Sequence, residues 1–403
     1  MAGIVVVGAG QAGSSCVAKL RALGHEGPIA LIGSEPVPPY QRPPLSKKYL
    51  LGDMELERLY LRPETYYAEN GIDLHLDQPV RAIDPAAKTV DLGGQSLPYD
   101  HLVLTTGSVP RRLPAAIGGA LEGVYVARDL KDADAMAPEF QPGRRVLIVG
   151  GGYIGLEAAA VAASKGLDVV LVEMAERILQ RVAAKETSDF FRALHRRHGV
   201  DIREGTGLER LTGEGRVSGA VLSDGTSIEV DFVIVGVGIA PETRLAEAAG
   251  LEIENGIKVD AHGRTSDPHI WAAGDCASFP HGTGQLRLES VPNAIDMAEC
   301  VAENILGAGK TYVAQPWFWS DQYDVKLQIA GLNTGYDRII TRAGEKEGHV
   351  SFWYYGGDRL LAVDAMNEPR AYMVGKRLID SGKTADPARV ADPASELKAL
   401  LQA

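Results

Sequence analysis

The chain contains few cysteines, only three among 403 residues: Cys16, Cys276 and Cys300. No two of them are spaced as Cys-x-x-Cys or in any similar short pattern. This excludes a local redox dithiol and a zinc knuckle.

Long apolar runs and an excess of positive charge are also lacking. No apolar run approaches the ~18 residues of a membrane span, and no basic segment opens the chain, so we expect a cytoplasmic enzyme that makes no contact with membranes. The net charge of −12 argues against nucleic acid as a main partner. A length of 403 residues with 45% hydrophobic content suits two or three domains.

Glycine is abundant and patterned near the start. An apolar strand, residues 4–7, runs into Gly8, Gly10 and Gly13, spaced as Gly-x-Gly-x-x-Gly. In this pattern the glycines permit a tight turn, a close approach of a pyrophosphate, and close packing of the next helix on the strand. The start of that helix then faces the anion.

An acid follows this fingerprint at the expected distance. The predicted helix 14–23 and strand 29–32 lead to Glu35, which lies 35 − 13 = 22 positions after Gly13. This spacing suits a carboxylate that binds a ribose, and Ser34 is the neighbouring candidate.

The same pattern occurs a second time. Strand 146–149 enters Gly150, Gly152 and Gly155, and Glu173 follows at a spacing of 173 − 155 = 18. Two complete fingerprints predict two bound dinucleotides, FAD at the first and a nicotinamide nucleotide at the second, because such a pair exchanges electrons.

Glu173 also predicts which nicotinamide nucleotide is used. A 2′-phosphate about 4 Å from this carboxylate meets roughly 4 kcal/mol of repulsion per unit charge at an effective dielectric near 20. That repulsion favours NADH over NADPH.

Glycine and proline mark two crossovers between domains, at 108–114 and 236–241. The second nucleotide domain is therefore predicted to be inserted in the first. We assign residues 1–110 and 242–315 to an FAD-binding domain, 111–241 to an NADH-binding domain, and 316–403 to a small C-terminal α+β domain. The predicted fold class is α/β, with two Rossmann-like domains.

Two helix predictions concern segments outside the fingerprints. Residues 59–70 read as a helix, and so do residues 187–198. On the second helix His195 and His198 are three positions apart, but Arg196 and Arg197 adjoin them and no third ligand is in view. We expect a solvated cationic face there and no metal site.

Glu157 lies in an apolar helix, where a buried carboxylate needs a partner. We propose Lys47, at the end of a proline-rich loop that also carries Arg42, as that partner near the reactive edge of the flavin. The alternative is that Glu157 lies on a solvent-exposed face. Asp275, after a buried strand, is either a turn residue or a ligand of a ribityl hydroxyl.

Five motifs together resemble one family along nearly the whole chain. They are the segments Pro43-Pro44-Leu45-Ser46-Lys47, Gly150 to Glu157, Gly274-Asp275-Cys276, Glu289 to Asn293 and Pro316 to Tyr323. The chain thereby resembles the FAD-dependent ferredoxin reductases, which include the putidaredoxin and rubredoxin reductases and the reductase components of aromatic-ring dioxygenases. The resemblance implies a glutathione-reductase-like architecture.

The resemblance also implies site residues. Glu289 is similar to the residue that faces the nicotinamide amide, and Trp319 to an aromatic residue at the flavin, through which electrons leave. The alternative for Trp319 is a core aromatic of the C-terminal domain. With the fingerprints, the expected FAD site comprises Gly8, Gly10, Ala12, Gly13, Ser34, Glu35, Arg42, Lys47, Val80, Thr106, Gly107, Arg128, Gly274, Asp275, Val291 and Trp319. The expected NADH site comprises Gly150, Gly152, Ile154, Gly155, Glu173, Gly238 and Glu289, and the expected catalytic residues are Lys47, Glu157 and Trp319.

The reaction implied is transfer of two electrons from NADH to FAD and then singly to a [2Fe–2S] ferredoxin serving a haem monooxygenase or an aromatic-ring dioxygenase. We expect a monomer or weak homodimer that docks the ferredoxin electrostatically. Candidate docking cations are Lys326, Arg338, Arg342, Arg370, Lys376 and Arg377. The alternatives are an NADH oxidase or quinone reductase, and an NADH-sensing flavoprotein resembling apoptosis-inducing factor.

Overall fold

A computed structural model describes residues 3–402. Over this range the chain forms ten α-helices, which are α1 Gln11–Ala22, α2 Lys48–Leu51, α3 Thr65–Glu69, α4 Leu130–Met136, α5 Tyr153–Ser164, α6 Lys185–Arg197, α7 Arg244–Ala248, α8 Val291–Ile305, α9 Pro369–Asp380 and α10 Pro387–Ala391. It also forms 25 strands, which are β1 Gly3–Val7, β2 Ile29–Ile32, β3 Ile72–His75, β4 Ala82–Asp84, β5 Thr89–Asp91, β6 Ser96–Leu104, β7 Ser108–Pro110, β8 Val124–Tyr125, β9 Arg145–Val149, β10 Asp168–Glu173, β11 Asp201–Glu204, β12 Leu208–Thr212, β13 Gly219–Leu222, β14 Ser227–Glu229, β15 Phe232–Val235, β16 Ile239–Pro241, β17 Ile257–Lys258, β18 Ile270–Ala272, β19 Ala277–His281, β20 Gly284–Leu286, β21 Trp317–Gln322, β22 Val325–Gly331, β23 Arg338–Ala343, β24 Val350–Gly356 and β25 Arg359–Met366. None of the helices within these residues is long and apolar enough to cross a membrane.

The chain divides into two structural units. The first comprises the residues up to Gln41, then Glu55–Val109 and Ile239–Gln315. The second comprises Arg42–Met54, Pro110–Gly238 and the residues from Pro316 onward. Each fingerprint therefore lies in its own unit, while the three-domain division made from the sequence stays a prediction.

The first unit is built on a seven-stranded sheet in the order β3-β2-β1-β6-β5-β4, with β18 also paired to β6. Strands β3, β2, β1, β6 and β18 are parallel, and β4, β5 and β6 are antiparallel. The side chains of Val6, Leu31 and Leu104 are completely buried. Burial on both faces explains why these parallel strands are continuous apolar runs. Parallel pairing places Val7 opposite Leu104, so the carboxyl ends of β1 and β6 lie side by side.

The second unit contains a parallel five-stranded sheet in the order β11-β10-β9-β15-β8, and a three-stranded antiparallel sheet, β12-β13-β14. Its C-terminal part is an antiparallel sheet in the order β21-β22-β25-β24-β23, against which α9 packs. Two Rossmann-like folds and a C-terminal α+β layer therefore confirm the predicted fold class.

The predicted helix 59–70 is wrong over its first half. A 3-10 turn, Leu56–Arg58, precedes it, and the helix itself spans only Thr65–Glu69. The cause is Pro63, which disfavours helical backbone at the residue before it and has no N–H to donate.

Candidate dinucleotide-binding sites

The first fingerprint forms a glycine-lined turn at the end of β1. Gly8 has a φ of +115°, and a Cβ there would lie 2.2 Å from the carbonyl oxygen of Thr105. A Cβ on Gly13 would lie 2.0 Å from the oxygen of Gly8. The space before Gly10 is open, with no atom within 4 Å of its Cβ position. Gly8 and Gly13 must therefore be glycine, because a Cβ would clash with neighbouring backbone atoms. Gly10 borders an open space, which we call the glycine cradle.

The second fingerprint repeats this geometry at the end of β9. Gly150 has a φ of +109°, and a Cβ there would lie 2.4 Å from the oxygen of Gly236. A Cβ on Gly155 would lie 2.1 Å from the oxygen of Gly150, and Gly152 again faces open space. In the part of the chain described, no side chain caps α1 or α5, so their first backbone N–H groups remain available. Both turns fit a pyrophosphate, which accepts hydrogen bonds from such groups.

The two acids are held differently. Tyr40 donates its hydroxyl to Glu35 Oε2 at 2.6 Å, and Ser34 beside it is exposed. Glu173 Oε2 accepts the N–H of Gly151 at 2.7 Å, and its Oε1 accepts the N–H of Ala175 at 2.8 Å. The fingerprint itself thus orients Glu173, which leaves its carboxylate charge fixed beside the glycine cradle.

Three predicted FAD-binding segments converge in the first unit at Gly274. A Cβ on this residue would lie 3.1 Å from Ala12 Cβ, in α1, and 3.7 Å from Ala294 Cβ, in α8. The starts of α1 and α8, the latter at Val291, therefore meet beside Asp275.

Asp275 has partners that the sequence did not indicate. Ser108 donates its hydroxyl to Asp275 Oδ2 at 3.0 Å. Arg287 donates to the carbonyl oxygen of Asp275 at 3.2 Å and pairs with Glu289 Oε1 at 2.6 Å. Arg287 thus connects Asp275 to Glu289, although the two acids are 14 positions apart (289 − 275 = 14).

Two further predicted FAD residues of this unit, Thr106 and Gly107, follow the end of β6. Thr106 donates its hydroxyl to the carbonyl oxygen of Glu242 at 2.6 Å, and the carbonyl of Gly107 accepts the N–H of the same residue at 2.9 Å. Val80 is half-buried against the core.

In the second unit the predicted contact between Lys47 and Glu157 is confirmed. Lys47 Nζ lies 3.0 Å from Glu157 Oε1, and the side chain of Glu157 is only 3% exposed. Ser320 donates to Oε1 at 2.7 Å and Ser46 donates to Oε2 at 2.9 Å. Burial raises the pKa of Glu157, while Lys47 and the two hydroxyls oppose that rise. The alternative, a solvent-exposed Glu157, is wrong.

Four other predicted site residues of this unit are half-buried or exposed: Arg42, Arg128, Trp319 and Ile154. Arg42 donates to the carbonyl oxygen of Arg128 at 3.0 Å. Trp319 is half-buried, with its ring 5.6 Å from that of Trp317, and is not a fully buried core residue. Ile154, in the first turn of α5, is 45% exposed, which is unusual for isoleucine.

Two arginines beside the second fingerprint were missed by the sequence analysis. Gly238 has a φ of +102°, and its Cβ position lies 3.9 Å from both Arg111 Cδ and Arg181 Nη1. Within residues 3–402 neither guanidinium is paired with a carboxylate. Gly238 is itself a predicted NADH residue and follows Gly236, whose oxygen lies against Gly150, so we expect the charge of Arg181 near the predicted pyrophosphate cradle.

The predicted solvated face at His195 is wrong. His195 is completely buried, and burial lowers its pKa to about 4. His198 is exposed, and its ring stacks on that of Tyr323 at 3.6 Å. No group of three or more His, Cys, Asp or Glu side chains among the residues described is placed to hold a metal ion.

One predicted docking cation is also wrong. Arg342 is only 8% exposed because it donates to the carbonyl oxygens of Val390, Asp392, Pro393 and Ser395, which ties the C-terminal segment to β23. On α9, by contrast, Arg370 and Arg377 are exposed together with Met373.

Comparison with known proteins covers both parts of the chain. Residues 2–298 match the family described as pyridine nucleotide-disulphide oxidoreductase, and residues 317–401 match the one described as reductase C-terminal. The chain is 43% identical over 401 residues to a ferredoxin–NAD(P)(+) reductase of Sphingomonas sp., covering 98% of this chain and 96% of that protein. It is 42% identical over 408 residues to putidaredoxin reductase of Pseudomonas putida, covering 99% and 97%. The reductase in a crystal structure of a covalent putidaredoxin reductase–putidaredoxin complex matches with a TM-score of 0.96 at 41% identity, covering 100% of this chain and 98% of that one.

The fold and the paired cradles define an oxidoreductase that binds two dinucleotides. The chain belongs to the pyridine nucleotide-disulphide oxidoreductase family, and within it to the ferredoxin reductases that carry this C-terminal domain. The resemblance inferred from the motifs is therefore confirmed. Enzymes of this family use FAD and NAD(H), and the glycine cradles fit both.

The cysteines agree with the absence of a dithiol motif. Cys16, Cys276 and Cys300 are all buried and form no disulfide. Burial raises the pKa of Cys16 to about 12, and it raises the pKa of the other two thiols as well. A thiol in this state is a poor nucleophile, so none of the three suits transfer of electrons through sulfur.

Proposed function

We propose that this protein is an NADH-dependent ferredoxin reductase. It transfers hydride from NADH to FAD and passes electrons singly to a [2Fe–2S] ferredoxin that serves a haem monooxygenase or an aromatic-ring dioxygenase. The observation that carries the proposal is the pair of open glycine cradles in a chain whose three thiols are buried. Bound FAD supplies the conversion between a two-electron donor and a one-electron acceptor.

The first unit holds FAD in this proposal. The N–H groups at the start of α1, beside Gly10, bind the pyrophosphate, and Glu35 accepts hydrogen bonds from the adenosine ribose. Asp275, oriented by Ser108, accepts from a ribityl hydroxyl. The start of α8 at Val291 directs its positive end toward an electron-rich edge of the flavin ring.

The second unit holds NADH. The N–H groups beside Gly152 bind its pyrophosphate, with Arg181 adding positive charge, and exposed Ile154 covers apolar surface of the nucleotide. Glu173 accepts from the ribose hydroxyls and repels a 2′-phosphate. Glu289 belongs to the first unit, where Arg287 holds it, and we propose that it accepts from the nicotinamide amide.

Lys47, Glu157 and Trp319 are the proposed catalytic residues. The buried ion pair keeps a positive charge at the reactive edge of the flavin without moving a proton, and Trp319 provides an aromatic surface for electrons that leave. The protein thus contributes orientation and charge, because hydride transfer requires no protein nucleophile.

We also propose the exposed face of α9 as part of the ferredoxin docking surface. Arg370, Met373 and Arg377 share one side of this helix because they are spaced by three and four positions. Two cations around an apolar side chain suit an acidic partner, and ferredoxins of this kind are generally acidic. The cytoplasmic location and the monomeric or weakly dimeric state stay predictions.

The decisive experiment is reduction of cytochrome c by NADH with each ferredoxin of the same genome added in turn. We expect one ferredoxin, or a few, to accelerate the reaction strongly, and the others to have little effect. Stopped-flow measurements then compare reoxidation of the reduced protein by air with reoxidation by each ferredoxin. If no ferredoxin reoxidises it faster than air does, the protein is an oxidase and the proposal is wrong.

A further inference from the structure

A chain of buried hydrogen bonds extends from Glu157 through the second unit to its surface. Ser320 Oγ lies 2.7 Å from Glu157 Oε1, and Gln322 Nε2 lies 3.2 Å from Ser320 Oγ. His195 Nε2 lies 2.7 Å from Gln322 Oε1, and the hydroxyl of Tyr323 lies 3.2 Å from His195 Nδ1. We call these five side chains the Glu157 chain.

The inner members of the Glu157 chain are inaccessible to water. Ser320, Gln322 and His195 are completely buried, and Glu157 is 3% exposed. Ser320 and Gln322 alternate along β21 with Trp319 and Asp321, so the same strand that carries the proposed flavin aromatic supplies two links. A buried polar group without a partner is unfavourable in free energy, so breaking any one of these hydrogen bonds would destabilise the fold.

The chemistry of the groups sets the direction of every hydrogen bond. An ionised Glu157 only accepts, so Ser320 spends its one hydrogen on the carboxylate and must accept from the amide nitrogen of Gln322. The amide oxygen of Gln322 then faces His195 Nε2, which must carry the imidazole hydrogen. His195 Nδ1 is left bare and accepts from Tyr323. In all four hydrogen bonds the acceptor is therefore on the side of Glu157 and the donor on the side of Tyr323.

The charges around the chain agree with a neutral imidazole. Burial lowers the pKa of His195 to about 4, opposed by the contact with Gln322 and assisted by His198. The other titratable groups at the chain are Tyr323 beside His195, and Lys47 with Asp321, which are 4.0 Å apart, beside Glu157. Successive aligned dipoles strengthen one another, so the remote links add to the stabilisation of the carboxylate.

We propose that Ser320, Gln322 and His195 are positioning residues that keep Glu157 ionised and paired with Lys47. They act on the reaction through Glu157, and they also hold β21, and therefore Trp319, in place. Their effect on hydride transfer rests on the proposed function, whereas their effect on the charge of Glu157 does not.

The first test measures the charge of Glu157 in the FAD-loaded protein. Infrared difference spectra against Glu157→Gln, taken across pH, report when this carboxyl gains a proton. Ser320→Ala removes one hydrogen bond to a charged group, so it should raise the titration midpoint of Glu157 by about 1 pH unit, which is tenfold in proton affinity. Gln322→Leu should raise it in the same direction by less, and Ser320→Thr should restore the original value.

Ser351→Ala is the matched control, because it removes a buried hydroxyl of the same unit that bonds to Trp353 and lies outside the chain. Its midpoint should equal that of the unchanged protein. An unaltered midpoint in both Ser320→Ala and Gln322→Leu would overturn the proposal.

The second test needs no variant. Nitrogen-15 spectra of labelled histidine should show His195 neutral, with its hydrogen on Nε2, at about pH 7. A hydrogen on Nδ1 would contradict the direction of the chain. Flavin reduction by NADH across pH then separates the two proposals: an infrared shift without a kinetic shift keeps the Glu157 chain and removes the ion pair from the reaction.

Discussion

Single residues decide how charge is held in the second unit. Glu157 is buried in an apolar helix, and it is tolerated because Lys47, Ser46 and Ser320 all donate to it. Glu173 is held by two backbone N–H groups beside the second fingerprint. Both acids therefore have a defined position before any ligand binds, as electrostatic preorganisation requires.

Lys47→Met should separate the structural and kinetic effects of the buried pair. Removing the ammonium leaves an uncompensated carboxylate, so we expect the free energy of unfolding to fall by about 3 kcal/mol, measured with denaturant. Flavin reduction by NADH should slow in both Lys47→Met and Glu157→Gln. Lys48→Met, at an exposed neighbour, is the control. Unchanged reduction rates in both variants of the pair would remove it from the reaction.

Glu173→Gln should weaken the preference for NADH. The repulsion of roughly 4 kcal/mol estimated for a 2′-phosphate corresponds to nearly three decades in affinity before screening. We therefore expect the ratio of kcat/KM for NADH and NADPH to fall in the variant, measured in steady state. Glu176→Gln changes the same charge at an exposed position three residues away and should leave the ratio unaltered. A higher kcat/KM for NADPH in the unchanged protein would refute the assignment.

At the scale of elements, a buried cluster ties α6 to the C-terminal sheet. Asp364 on β25 accepts the hydroxyl of Thr187 on α6 at 2.6 Å and also that of Tyr354 on β24. Tyr354 in turn accepts the N–H of Ala184, the residue before α6. The start of α6 is thereby fixed to the sheet that carries Trp319, all within the second unit.

This cluster predicts a pH dependence of stability. Burial raises the pKa of Asp364 to about 6, whereas an unfolded aspartate titrates near 3.9. The folded state therefore binds the proton of Asp364 more tightly than the unfolded state does. The resulting contribution to the free energy of unfolding is fully present below about pH 4 and is lost as the pH rises through 6. The loss amounts to about 3 kcal/mol.

Asp364→Asn should avoid this loss, since an amide carbonyl still accepts both hydroxyls without a charge. Between about pH 4 and about pH 8, its free energy of unfolding should gain about 3 kcal/mol relative to the unchanged protein. Denaturant unfolding at the two pH values measures the gain. Asp358→Asn, on an exposed loop, should show none, and an equal gain there would assign the effect to net charge.

At the scale of the whole molecule, a net charge of −12 contrasts with the positive face of α9. An acidic protein that binds an acidic ferredoxin requires a local patch of opposite sign, because repulsion otherwise slows association. The exposed side of Arg370, Met373 and Arg377 is the patch that we propose, whereas Arg342 is buried and donates to carbonyl oxygens of its own unit.

Salt and charge reversal should therefore act on ferredoxin and not on small acceptors. We expect Arg377→Glu to raise the KM for ferredoxin about tenfold at low salt and to leave ferricyanide reduction unchanged. Raising ionic strength should reduce the ferredoxin-coupled rate much more than the ferricyanide rate. Lys131→Glu makes the same change on α4 and serves as the control. Equal salt effects on both acceptors would argue against electrostatic docking.

The sequence by itself determined both glycine cradles, their strands and helices, and the two acids. Each acid follows the last glycine of its own fingerprint by 22 or 18 positions, and the geometry of each cradle depends on local backbone requirements such as the positive φ of Gly8 and Gly150. A strong local pattern can therefore be recognised without knowledge of the rest of the chain. The pairing of Lys47 with Glu157 was predicted only as one of two alternatives.

Only the tertiary structure decided which polar side chains are buried and which groups they meet. His195 and Gln322 are 127 positions apart, and Arg287 and Arg181 become relevant only where separate segments meet. Arg342 was wrongly expected at the surface, because its four carbonyl partners belong to a distant segment. Burial and long-range hydrogen bonding depend on how distant segments pack, and a residue's neighbours along the chain carry little information about that packing.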